Sequence, residues 1–547
     1  MKTVAIFGAG IAGLSLAHEL NSLGYAVSVY EATGQAGGFF RSARTGEDNM
    51  PSECSWHGMG PWYHNTFDLM RQIPFNPTGS LYDLALSRPV EVGICPDGAK
   101  AQFADAGLRS IPRMFRMNRL EFARWCYLML KTWTSNERSR VDYAQLSAAR
   151  SWQTLLEDTA HKTWISCFGP WIGSDWSKIS LHSAGNFFRK QLVTKTKHLH
   201  QADQEGPAWM HGAGDGWLLL KGPSSEYWFA PWLAHLQQNG VQFFWQKALT
   251  KLEFDGARIL TAYCGEEKIE AEIYVLAINP FSTAEILRQT PALEKLEELK
   301  LFKALVRDGP HTQVSFRLAF SEAIQFPRKR TGIVVSDSEF NLTLFAADQV
   351  WDQEVDLGKG IASLWSGTSS ISSVPGRIYR KPVKTCTREE FIEEVKTQIF
   401  DCGALNELIK EANGGRSLRD FHLIKVEVWH EWELSEEGIK PLQPKWATTT
   451  NTQDYLPGQR TPVGNLFLAG AHTRTQAQVW SIEGAVESGR RAAQAIDDRV
   501  EVLDQELPLW ILVLADIDDL LFSINAPQVI DYLAIGVFLI GAAWLLA

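Results

Sequence analysis

The chain begins with a short run of apolar residues, which is followed by closely spaced glycines and then by a longer helical pattern. Residues 4–7 are apolar and predict a β-strand, and glycines follow at positions 8, 10 and 13. A helix is predicted from this turn to about Leu23, where Gly24 ends it. Residues 26–30 predict a second strand with Glu31 at its carboxyl end. The pattern therefore predicts a strand, a helix and a strand arranged around a tight glycine turn.

The glycines and the acidic residue of this unit fall where a dinucleotide needs them. Gly8, Gly10 and Gly13 have the spacing for a tight turn, for close approach of the backbone to a pyrophosphate, and for packing of the helix on the strand. The phosphates then meet N–H groups at a helix N-terminus. Glu31 is placed to accept hydrogen bonds from ribose hydroxyls. The unit itself leaves NAD and FAD open, because both contain the ADP half that it binds.

A later segment repeats this alternation of helix and buried strand. After residue 221 the pattern predicts a helix that ends at Gly240, a strand through Trp245, and another strand around residues 251–254. It continues to a buried strand over residues 271–281 that Pro280 breaks. We expect this segment to return to the domain that the N-terminus begins.

A second return lies near the C-terminus, with a strand at residues 466–469, a glycine turn at Gly470 and a helix from about Ser481. The predicted fold class is therefore α/β, with a discontinuous Rossmann-type domain, an inserted α+β substrate domain and a C-terminal membrane-associated helix. The predicted bounds are 1–80, 221–285 and 455–500 for the dinucleotide domain, 82–220 and 286–450 for the substrate domain, and 505–547 for the C-terminal segment.

One arginine-rich segment carries a positive charge in an otherwise acidic protein. With Pro112 opening a helix, Arg113, Arg116, Arg124 and Lys131 fall within an arc of about 80° at 3.6 residues per turn. One interpretation is a basic amphipathic helix that lies on an anionic membrane surface. The other is a surface helix whose apolar face packs on the core.

The C-terminal tail is apolar over residues 532–547. Sixteen helical residues reach roughly 24 Å, which is short of the roughly 30 Å hydrocarbon core of a bilayer. A monotopic or tail-anchored helix is therefore weighed against a complete transmembrane span, and a helix packed on the protein or in a dimer interface is the alternative. We expect residues 505–547 to form a hydrophobic membrane anchor.

The segment before this tail is apolar too, but Asp516, Asp518 and Asp519 make its burial in lipid costly. It is predicted to be interfacial or packed on protein. At the other end, the first strand begins within three residues of Met1, so no signal peptide is expected. Together these features predict a membrane-associated protein on the cytoplasmic side.

Composition narrows the class of protein. At 547 residues and 45% hydrophobic content the chain is expected to fold into two domains with additions. A net charge of −10 and a pI near 5.8 argue against nucleic-acid binding, which usually needs a basic face. Seven scattered cysteines without a CxxC pair predict reduced thiols and no metal site.

A second glycine element follows Glu31. The segment from Glu31 through Gly37, Gly38, Arg41 and Ser42 resembles the extended signature of the FAD-binding superfamily that includes flavin amine oxidases, carotenoid desaturases and Rab escort proteins. NAD dehydrogenases are not expected to carry this extension. The resemblance implies FAD as the cofactor.

A closer resemblance rests on four blocks of the chain. The N-terminal fingerprint is followed by residues 53–73 (ECSWHGMGPWYHNTFDLMRQI), by residues 218–259 and by residues 457–496. The blocks resemble those of plant- and cyanobacterial-type phytoene and ζ-carotene desaturases, with carotenoid isomerases and hydroxysqualene dehydroxylase close by. This resemblance implies a flavin-dependent oxidoreductase with a hydrophobic substrate.

The fourth block has its own physical logic. A helix that begins near Ser481 can aim its positive end at the flavin pyrimidine ring, and the small residues Gly484 and Ala485 permit close approach. Relatives usually carry Asp or Glu after the Ala-Gly pair, whereas this chain has Ala471 followed by His472. The departure implies that one hydrogen bond to FAD is lost or replaced.

The resemblance also implies the candidate site residues. The candidate catalytic residues near the flavin are His57, Trp62, Tyr63 and Trp480. The candidate cofactor-binding residues lie in the two glycine elements, in the 53–73 block and in the fourth block: Gly8, Gly10, Ile11, Ala12, Gly13, Glu31, Ala32, Gly37, Gly38, Arg41, Gly58, Gly60, Pro61, Trp62, Gly470, Ala471, Ile482 and Ala485.

The implied chemistry is dehydrogenation of a hydrophobic lipid, such as an isoprenoid, carotenoid-like or fatty acyl chain. A hydride passes to flavin N5 and a proton to an acceptor, so the protein supplies orientation and a dry channel. Many of the 21 Trp, 28 Phe and 12 Tyr residues suit this role, although most aromatic residues are expected in the core.

Three other functions stay open: a flavin amine oxidase, a redox-neutral flavin isomerase, and an escort protein that binds prenyl lipids without redox chemistry. The expected partners are the hydrophobic substrate, a lipid bilayer, and a quinone or dioxygen as electron acceptor. Nucleic acid is not expected, and a homo-oligomer is left open.

Overall fold

The computed structural model describes residues 1–55, 57–60, 62–87, 90–96, 98–103, 111–193, 218–327, 330–436 and 438–536. Most of its strands belong to a parallel sheet and a larger mixed sheet. In chain order the strands are β1 (Thr3–Phe7), β2 (Ala26–Tyr30), β3 (Ser42–Thr45), β4 (Met50–Glu53), β5 (Pro74–Asn76), β6 (Gly79–Ser80), β7 (Val92–Ile94), β8 (Gln102–Phe103), β9 (Gln242–Phe244), β10 (Lys251–Phe254), β11 (Ile259–Cys264), β12 (Glu267–Ile269), β13 (Ile273–Leu276), β14 (Val314–Phe320), β15 (Gly332–Val335), β16 (Leu342–Ala346), β17 (Ser363–Ser369), β18 (Leu423–Val428), β19 (Trp432–Ser435), β20 (Gly438–Pro441) and β21 (Leu466–Leu468).

The helices cover both sheets and form a separate helical layer in the first half of the chain. They are α1 (Ile11–Ser22), α2 (His64–Gln72), α3 (Leu81–Leu84), α4 (Ile111–Met114), α5 (Arg119–Trp133), α6 (Ala148–Gln153), α7 (Asp158–Ile165), α8 (Phe168–Ile172), α9 (Leu181–Val193), α10 (Ala230–Gln238), α11 (Pro280–Arg288), α12 (Pro291–Glu294), α13 (Leu301–Leu305), α14 (Arg388–Phe400), α15 (Gly403–Ala412), α16 (Ile482–Ile496) and α17 (Leu509–Ser523).

The parallel sheet unites three distant stretches of the chain in the order β21-β13-β1-β2-β9. Val4 lies opposite Val27 of β2 and Ile273 of β13, and Leu466 of β21 lies opposite Tyr274. The bounds of β1, α1 and β2 agree within one residue with those predicted. The predicted α/β Rossmann-type fold is therefore confirmed, while the domain bounds stay predictions.

The strands of this sheet are apolar on both faces because both faces are covered. Val4 and Ile6 belong to a core shared with α1 and α16, whereas Ala5 and Phe7 belong to a second core. That second core includes the antiparallel sheet β10-β11-β12 and the helices α11 and α13. Near-continuous apolar strands are typical of a parallel sheet buried in this way.

The mixed sheet has seven strands in the order β18-β14-β17-β16-β15-β7-β8, and its one parallel pair within the described residues is β15 with β7. Apolar side chains of α14 and α15 share a core with β14 and β16. This mainly antiparallel sheet with its own helices has α+β character.

The helical layer has an aromatic interior. Trp152 and Trp164 lie with ring centroids 5.5 Å apart, and Phe168 and Phe188 lie within 5.8 Å of each other beside them. All four side chains are buried. These aromatic residues of the helical layer are core residues, as most aromatic residues are expected to be.

The arginine-rich segment departs from the single helix predicted to start at Pro112. α4 is only one turn long, Arg116 has φ +58°, and α5 starts after Asn118. The Asn118 side chain accepts from the N–H of Glu121, whose carboxylate accepts from the N–H of Asn118. This capping box makes a new helix start, so the prediction of one continuous helix with a common arc of four basic residues is wrong.

The last described part of the chain is an arm (residues 507–536) made of α17 and the start of a further helix at Val529. Asp518 of α17 is buried against the end of α5. No helix within the described part of the chain, which stops at residue 536, has the length and apolarity to cross a bilayer. The expected transmembrane helix is not found there, and residues 537–547 of the expected anchor lie outside the described residues.

Candidate active site

The turn after β1 demands glycine at two positions. Gly8 has φ +108°, and a Cβ there would lie 2.5 Å from the carbonyl oxygen of Ala277. A Cβ on Gly13 would lie 2.0 Å from the carbonyl oxygen of Gly8. Gly10 is the N-cap of α1, and no side chain of the described residues caps that end. The first N–H groups of α1 are therefore available to an anion such as a phosphate.

Glu31 stands at the carboxyl end of β2, beside this turn. Its buried carboxylate accepts from the N–H of Ala9 at 2.8 Å and from the N–H and hydroxyl of Thr33, both at 2.9 Å. Two carboxylate oxygens offer about four acceptor sites, so one is left for a ribose hydroxyl. Ala32, the next residue, is exposed.

The second glycine element packs directly on the first. The N–H of Gly37 donates to the carbonyl oxygen of Ala9 at 2.9 Å, and a Cβ on Gly38 would lie 3.2 Å from the Cα of Gly10. Gly37 has φ +111°. The two elements that the sequence places some twenty-five residues apart thus form one surface.

Arg41 fixes this surface to the rest of the protein. Its buried guanidinium donates to the carbonyl oxygen of Gly38 at 2.9 Å and forms an ion pair with Glu431. Burial opposes ionisation of Glu431, but a hydrogen bond from His430 and the charge of Arg41 hold the pKa of that carboxyl below its ordinary value. Arg41 therefore holds the loop from within, next to the predicted cofactor surface.

A cavity of about 80 Å³ lies where the second glycine element, the β4–α2 loop, α8 and the N-terminus of α16 meet. The rings of Phe40 and Trp480 stack with centroids 5.7 Å apart, and Phe39 meets Trp480 edge-on at 5.7 Å. Tyr63 and Trp171 complete the aromatic lining. Five aromatic side chains thus line the cavity, together with smaller and polar residues.

His57 lines this cavity and is hydrogen-bonded to Glu53, which is the centre of a buried polar network. Its Nε2 lies 3.1 Å from Oε2 of Glu53, which also accepts from the hydroxyl of Ser224 at 3.0 Å. The other oxygen of Glu53 lies 3.2 Å from the guanidinium of Arg317. Burial works against ionisation of Glu53, but His57 and Arg317 prevail and lower its pKa.

This network sets the tautomer of His57. Glu53 as a carboxylate accepts a hydrogen bond, so Nε2 carries a proton, and in the neutral ring the lone pair is on Nδ1. Nδ1 is buried and has no hydrogen-bond partner among the described residues. The orientation of the His57 ring is thus fixed by a carboxylate.

Lys445 is a second basic group at the cavity, and the sequence did not single it out. Its Nζ lies 4.4 Å from the ring centroid of Trp480 and 5.7 Å from that of Phe39, and it donates to the side-chain oxygen of Gln313. Burial lowers its pKa from 10.5 to about 8. One signal was available, because Lys445 is the single charged residue within residues 441–453.

The lowered pKa of Lys445 predicts a pH dependence of stability. The unfolded chain holds this proton up to pH 10.5 and the folded protein only up to about pH 8, so the stability of the folded protein rises with pH between these values. Relative to Lys445→Met, the wild-type free energy of unfolding should rise by about 2 kcal/mol from about pH 7.5 to about pH 9.5. Urea unfolding of both proteins across this range measures it.

The control for this measurement is Lys303→Met, at an exposed lysine of α13. Its ammonium remains in water on folding, so the difference from wild type should stay flat over the same pH range. A flat difference for Lys445→Met as well would contradict the prediction.

The N-terminus of α16 faces the same cavity through Ser481 and Ile482. The Ser481 hydroxyl caps the helix by accepting from the N–H of Gly484 at 3.0 Å. Glu483, the acidic residue of the first turn, points instead to the start of α2, where it accepts from both the backbone and the side chains of Asn65 and Thr66. The carboxylate of Glu483 is therefore bound to the start of α2. It does not line the cavity, which faces the positive end of the α16 dipole.

Lys190 fixes the loop that leads into this helix. Its buried ammonium donates to the carbonyl oxygens of Gln476 and Ala477, and burial lowers its pKa to about 7. Glu487 holds the same loop from the other side, because it accepts from the N–H groups of both loop residues. The position of Trp480, three residues later, thus depends on a loop that is held by both charges.

Relatives usually carry Asp or Glu after the Ala-Gly pair, whereas this chain has Ala471 and then His472, whose ring packs into the core. Gly470 has φ +143°, and the imidazole of His472 lies where a Cβ on Gly470 would be. The ring is buried against Phe302 and Trp446, and burial lowers its pKa to about 3. His472 therefore packs away from solvent as a neutral group, and Ala471 stays half-buried beside it.

The structure brings together only part of the predicted catalytic set. His57, Tyr63 and Trp480 line the cavity with the predicted cofactor residues Gly58 and Ile482. Trp62 does not line it, because its indole is fully buried between the rings of Tyr63 and Phe187. Gly60 packs against that indole and Ala485 is half-buried on α16, while Pro61 lies outside the described residues.

Two profiles of known protein families match this chain, one over the region of the two glycine elements and the other over the region of α16. A profile of flavin-containing amine oxidoreductases matches residues 421–497, which include β21 and α16. A profile of NAD(P)-binding Rossmann-like domains matches residues 6–73, which include the end of β1 and all of α1 and β2.

Relatives match over almost the whole chain. The probable zeta-carotene desaturase of Synechococcus elongatus is 24% identical over 536 residues, which cover 90% of this chain and 98% of that protein. The 15-cis-phytoene desaturase of the same organism is 23% identical over 522 residues, or 92% of this chain and 97% of that one. In fold, cyclohexylamine oxidase from Brevibacterium oxydans is similar with a TM-score of 0.58 at 15% identity, over 91% of this chain and 99% of that one. The protein is thus a flavin-containing oxidoreductase of the flavin amine oxidase and phytoene desaturase superfamily.

Proposed function

We propose that this protein binds FAD and dehydrogenates a hydrophobic lipid, such as an isoprenoid, carotenoid-like or fatty acyl chain. The observation that carries the proposal is the cavity between the second glycine element and α16. Five of its sixteen lining residues are aromatic, and an imidazole and an ammonium are its two basic groups. Apolar walls with one oriented base suit removal of hydrogen from an unactivated carbon chain.

The residues present fit FAD at three places. The turn needs glycine at Gly8 and Gly13, where any Cβ would collide with backbone, and at Gly10 it presents the uncapped N-terminus of α1 to a pyrophosphate. Glu31 has an acceptor site left for the ribose. The capped N-terminus of α16 offers N–H groups and a positive dipole end for the flavin ring system. When bound there, FAD supplies the hydride acceptor.

His57 is the group that we assign to the proton. Its Nδ1 lone pair takes the proton that leaves the substrate carbon, and the carboxylate of Glu53 stabilises the imidazolium that results. The aromatic rings exclude water and hold the apolar chain in place. The cavity of about 80 Å³ has room for only a short part of such a chain.

An amine is the second candidate substrate class, because the family profile that matches the C-terminal block is that of amine oxidoreductases. Charge argues against it. A substrate ammonium in the cavity would lie beside the ammonium of Lys445, and two like charges in an apolar enclosure repel strongly. A neutral lipid meets no such penalty.

Anaerobic incubation of the purified protein with membrane lipid extract tests the proposal. We expect the flavin absorption to bleach and mass spectrometry to find a lipid that has lost two hydrogens. Readmission of dioxygen, or addition of a quinone, should restore the absorption. A panel of amines should leave the flavin oxidised.

Each alternative has its own outcome in the same experiment. Bleaching by amines and by no lipid would show an amine oxidase. Conversion of a lipid to an isomer of equal mass, with the flavin reduced beforehand, would show an isomerase. Protein that is colourless as purified and still binds prenyl lipid would show an escort protein, and each result would overturn the proposal.

A further inference from the structure

We propose that the C-terminal arm (residues 507–536) and the exposed side of α5 form one surface that lies on an anionic lipid bilayer. The proposal concerns attachment and is independent of the chemistry proposed above. Its first observation is an apolar stripe on α17, formed by Leu509, Val513, Ile517 and Leu520 and continued past the helix end by Ile524.

The stripe is exposed although every member is apolar. Leu509 is 73% exposed, Leu520 is 68% exposed and Ile524 is 67% exposed. Spacings of three and four residues place the stripe on one face of the helix, while Ile511 and Ala515 on the other face are buried. A helix that exposes a continuous apolar face is typical of an interaction surface.

Two of the three aspartates of α17, whose charges make burial in lipid costly, fix the arm to the protein. Asp518 is fully buried, where it accepts from the hydroxyl of Ser135 at 2.7 Å and pairs with Arg138 at 3.2 Å. Asp519 accepts from the backbone N–H of Glu137 at 2.9 Å. Both therefore face the protein, and only Asp516 stays on the outer face of α17, where it limits insertion to the depth of the lipid headgroups.

The helix that follows extends the same surface. Asp531 pairs with Lys131 of α5 at 2.8 Å and accepts a hydrogen bond from Tyr127, which fixes this helix against α5. The next residues, Tyr532 and Leu533, are about half exposed. Apolar side chains are thus presented by both parts of the arm.

The exposed side of α5 adds positive charge to this surface. Lys131, Tyr127, Arg124 and Leu120 follow each other at spacings of four, three and four, so they share one face of the helix. Since the arm contacts the first two, the other two continue along the same side. Arg124 and, at the helix start, Arg119 are exposed.

Charge selects the lipid bilayer over a second copy of the chain. Asp516 lies at the middle of the stripe, so a symmetric dimer built on the stripe would bring two Asp516 carboxylates together. α17 contains no Lys or Arg that could compensate them. A bilayer with anionic lipid instead meets apolar side chains at its boundary and arginines at its headgroups.

Sedimentation of the full-length protein with vesicles tests the proposal. One set of vesicles contains phosphatidylcholine alone, and the other also contains phosphatidylserine. We expect binding to both and tighter binding to the second. The double variant V513E/L520E should bind both at least tenfold more weakly, and R124A should lose about fivefold on phosphatidylserine vesicles only.

The matched control is Leu260→Glu. Leu260 is 46% exposed and lies on β11, outside the arm and α5, so this variant should bind as wild type does. Unchanged flavin content and melting temperature show that each variant is folded. Failure of the wild type to sediment with either vesicle would overturn the proposal, as would unchanged binding by V513E/L520E. A wild-type dimer that V513E/L520E dissociates would also overturn it in favour of a second copy.

Discussion

Alanine in place of Gly13 is expected to yield protein that binds flavin at least about tenfold more weakly (~1.4 kcal/mol). The methyl group would lie 2.0 Å from the carbonyl oxygen of Gly8 and 3.2 Å from the Cβ of Ala277. The N-terminus of α1 must then move away from the turn, and its N–H groups move away from the phosphate that we propose they bind. The absorbance ratio of flavin to protein after purification measures the loss.

Stability of the apoprotein should fall in the same variant. Alanine favours an α-helix over glycine by about 1 kcal/mol, but overpacking at a rigid contact costs about 1–3 kcal/mol. Because the neighbour here is backbone, which cannot rotate aside, we expect the clash to prevail. Urea unfolding of flavin-free protein gives the sign.

Gly34→Ala is the control for this variant. Gly34 lies in the loop between Glu31 and the second glycine element, and a Cβ there would meet no atom within 4 Å of the described structure. It should therefore purify with full flavin and unchanged stability. A yellow Gly13→Ala protein with wild-type stability would show that the turn does not have the contact on which the cofactor assignment depends.

The second large effect is expected for His57→Gln, and it rests on the proposed function. Glutamine can still donate to Glu53, but it cannot take a proton. Removal of a general base typically slows a reaction by about 10²–10⁴-fold, so the rate of anaerobic flavin reduction by the active lipid should fall by that factor. Substrate affinity should change little, which separates the effect on kcat from that on KM.

A buried histidine elsewhere provides the comparison. His161 is buried and bonds to the carbonyl oxygen of Ala149 in the helical layer. His161→Gln should reduce flavin as fast as wild type if its fold is intact. Reduction by His57→Gln within threefold of wild type, with full flavin content, would assign the proton to another group.

The parts of the fold that the sequence predicted are those whose determinants lie close together. The first strand, helix and strand follow from three glycines and Glu31 within thirty-one residues, and the start of α16 follows from Ser481, its N-cap. In each case the backbone geometry is decided by neighbours along the chain.

The break between α4 and α5 shows that a local signal can also be overlooked. Asn118 and Glu121 have the spacing of a capping box, and that box ends any continuous helix from Pro112. The periodicity of the basic residues suggested one helix because their spacing happened to suit one face. A capping signal within a periodic stretch should take precedence over the periodicity.

The functional contacts could not have been predicted from one sequence. Glu53 and Arg317 are 264 residues apart, and Glu483 reaches Asn65 over 418 residues. Nothing in the local pattern separates Trp62, which is core, from Tyr63, which lines the cavity. Such differences depend on which distant element covers each side chain.

The assembly of the parallel sheet has a consequence for biosynthesis. β21 and α16 come from the last fifth of the described chain, yet they complete the layer on which the N-terminal glycine turn rests, and Arg490 bonds to Glu19 across 471 residues. Such long-range closure makes folding slow. The N-terminal unit therefore leaves the ribosome before the elements that cover its apolar faces have been made. We expect chaperones to bind it until residues near 496 emerge. We also expect flavin to bind only after synthesis has passed that point.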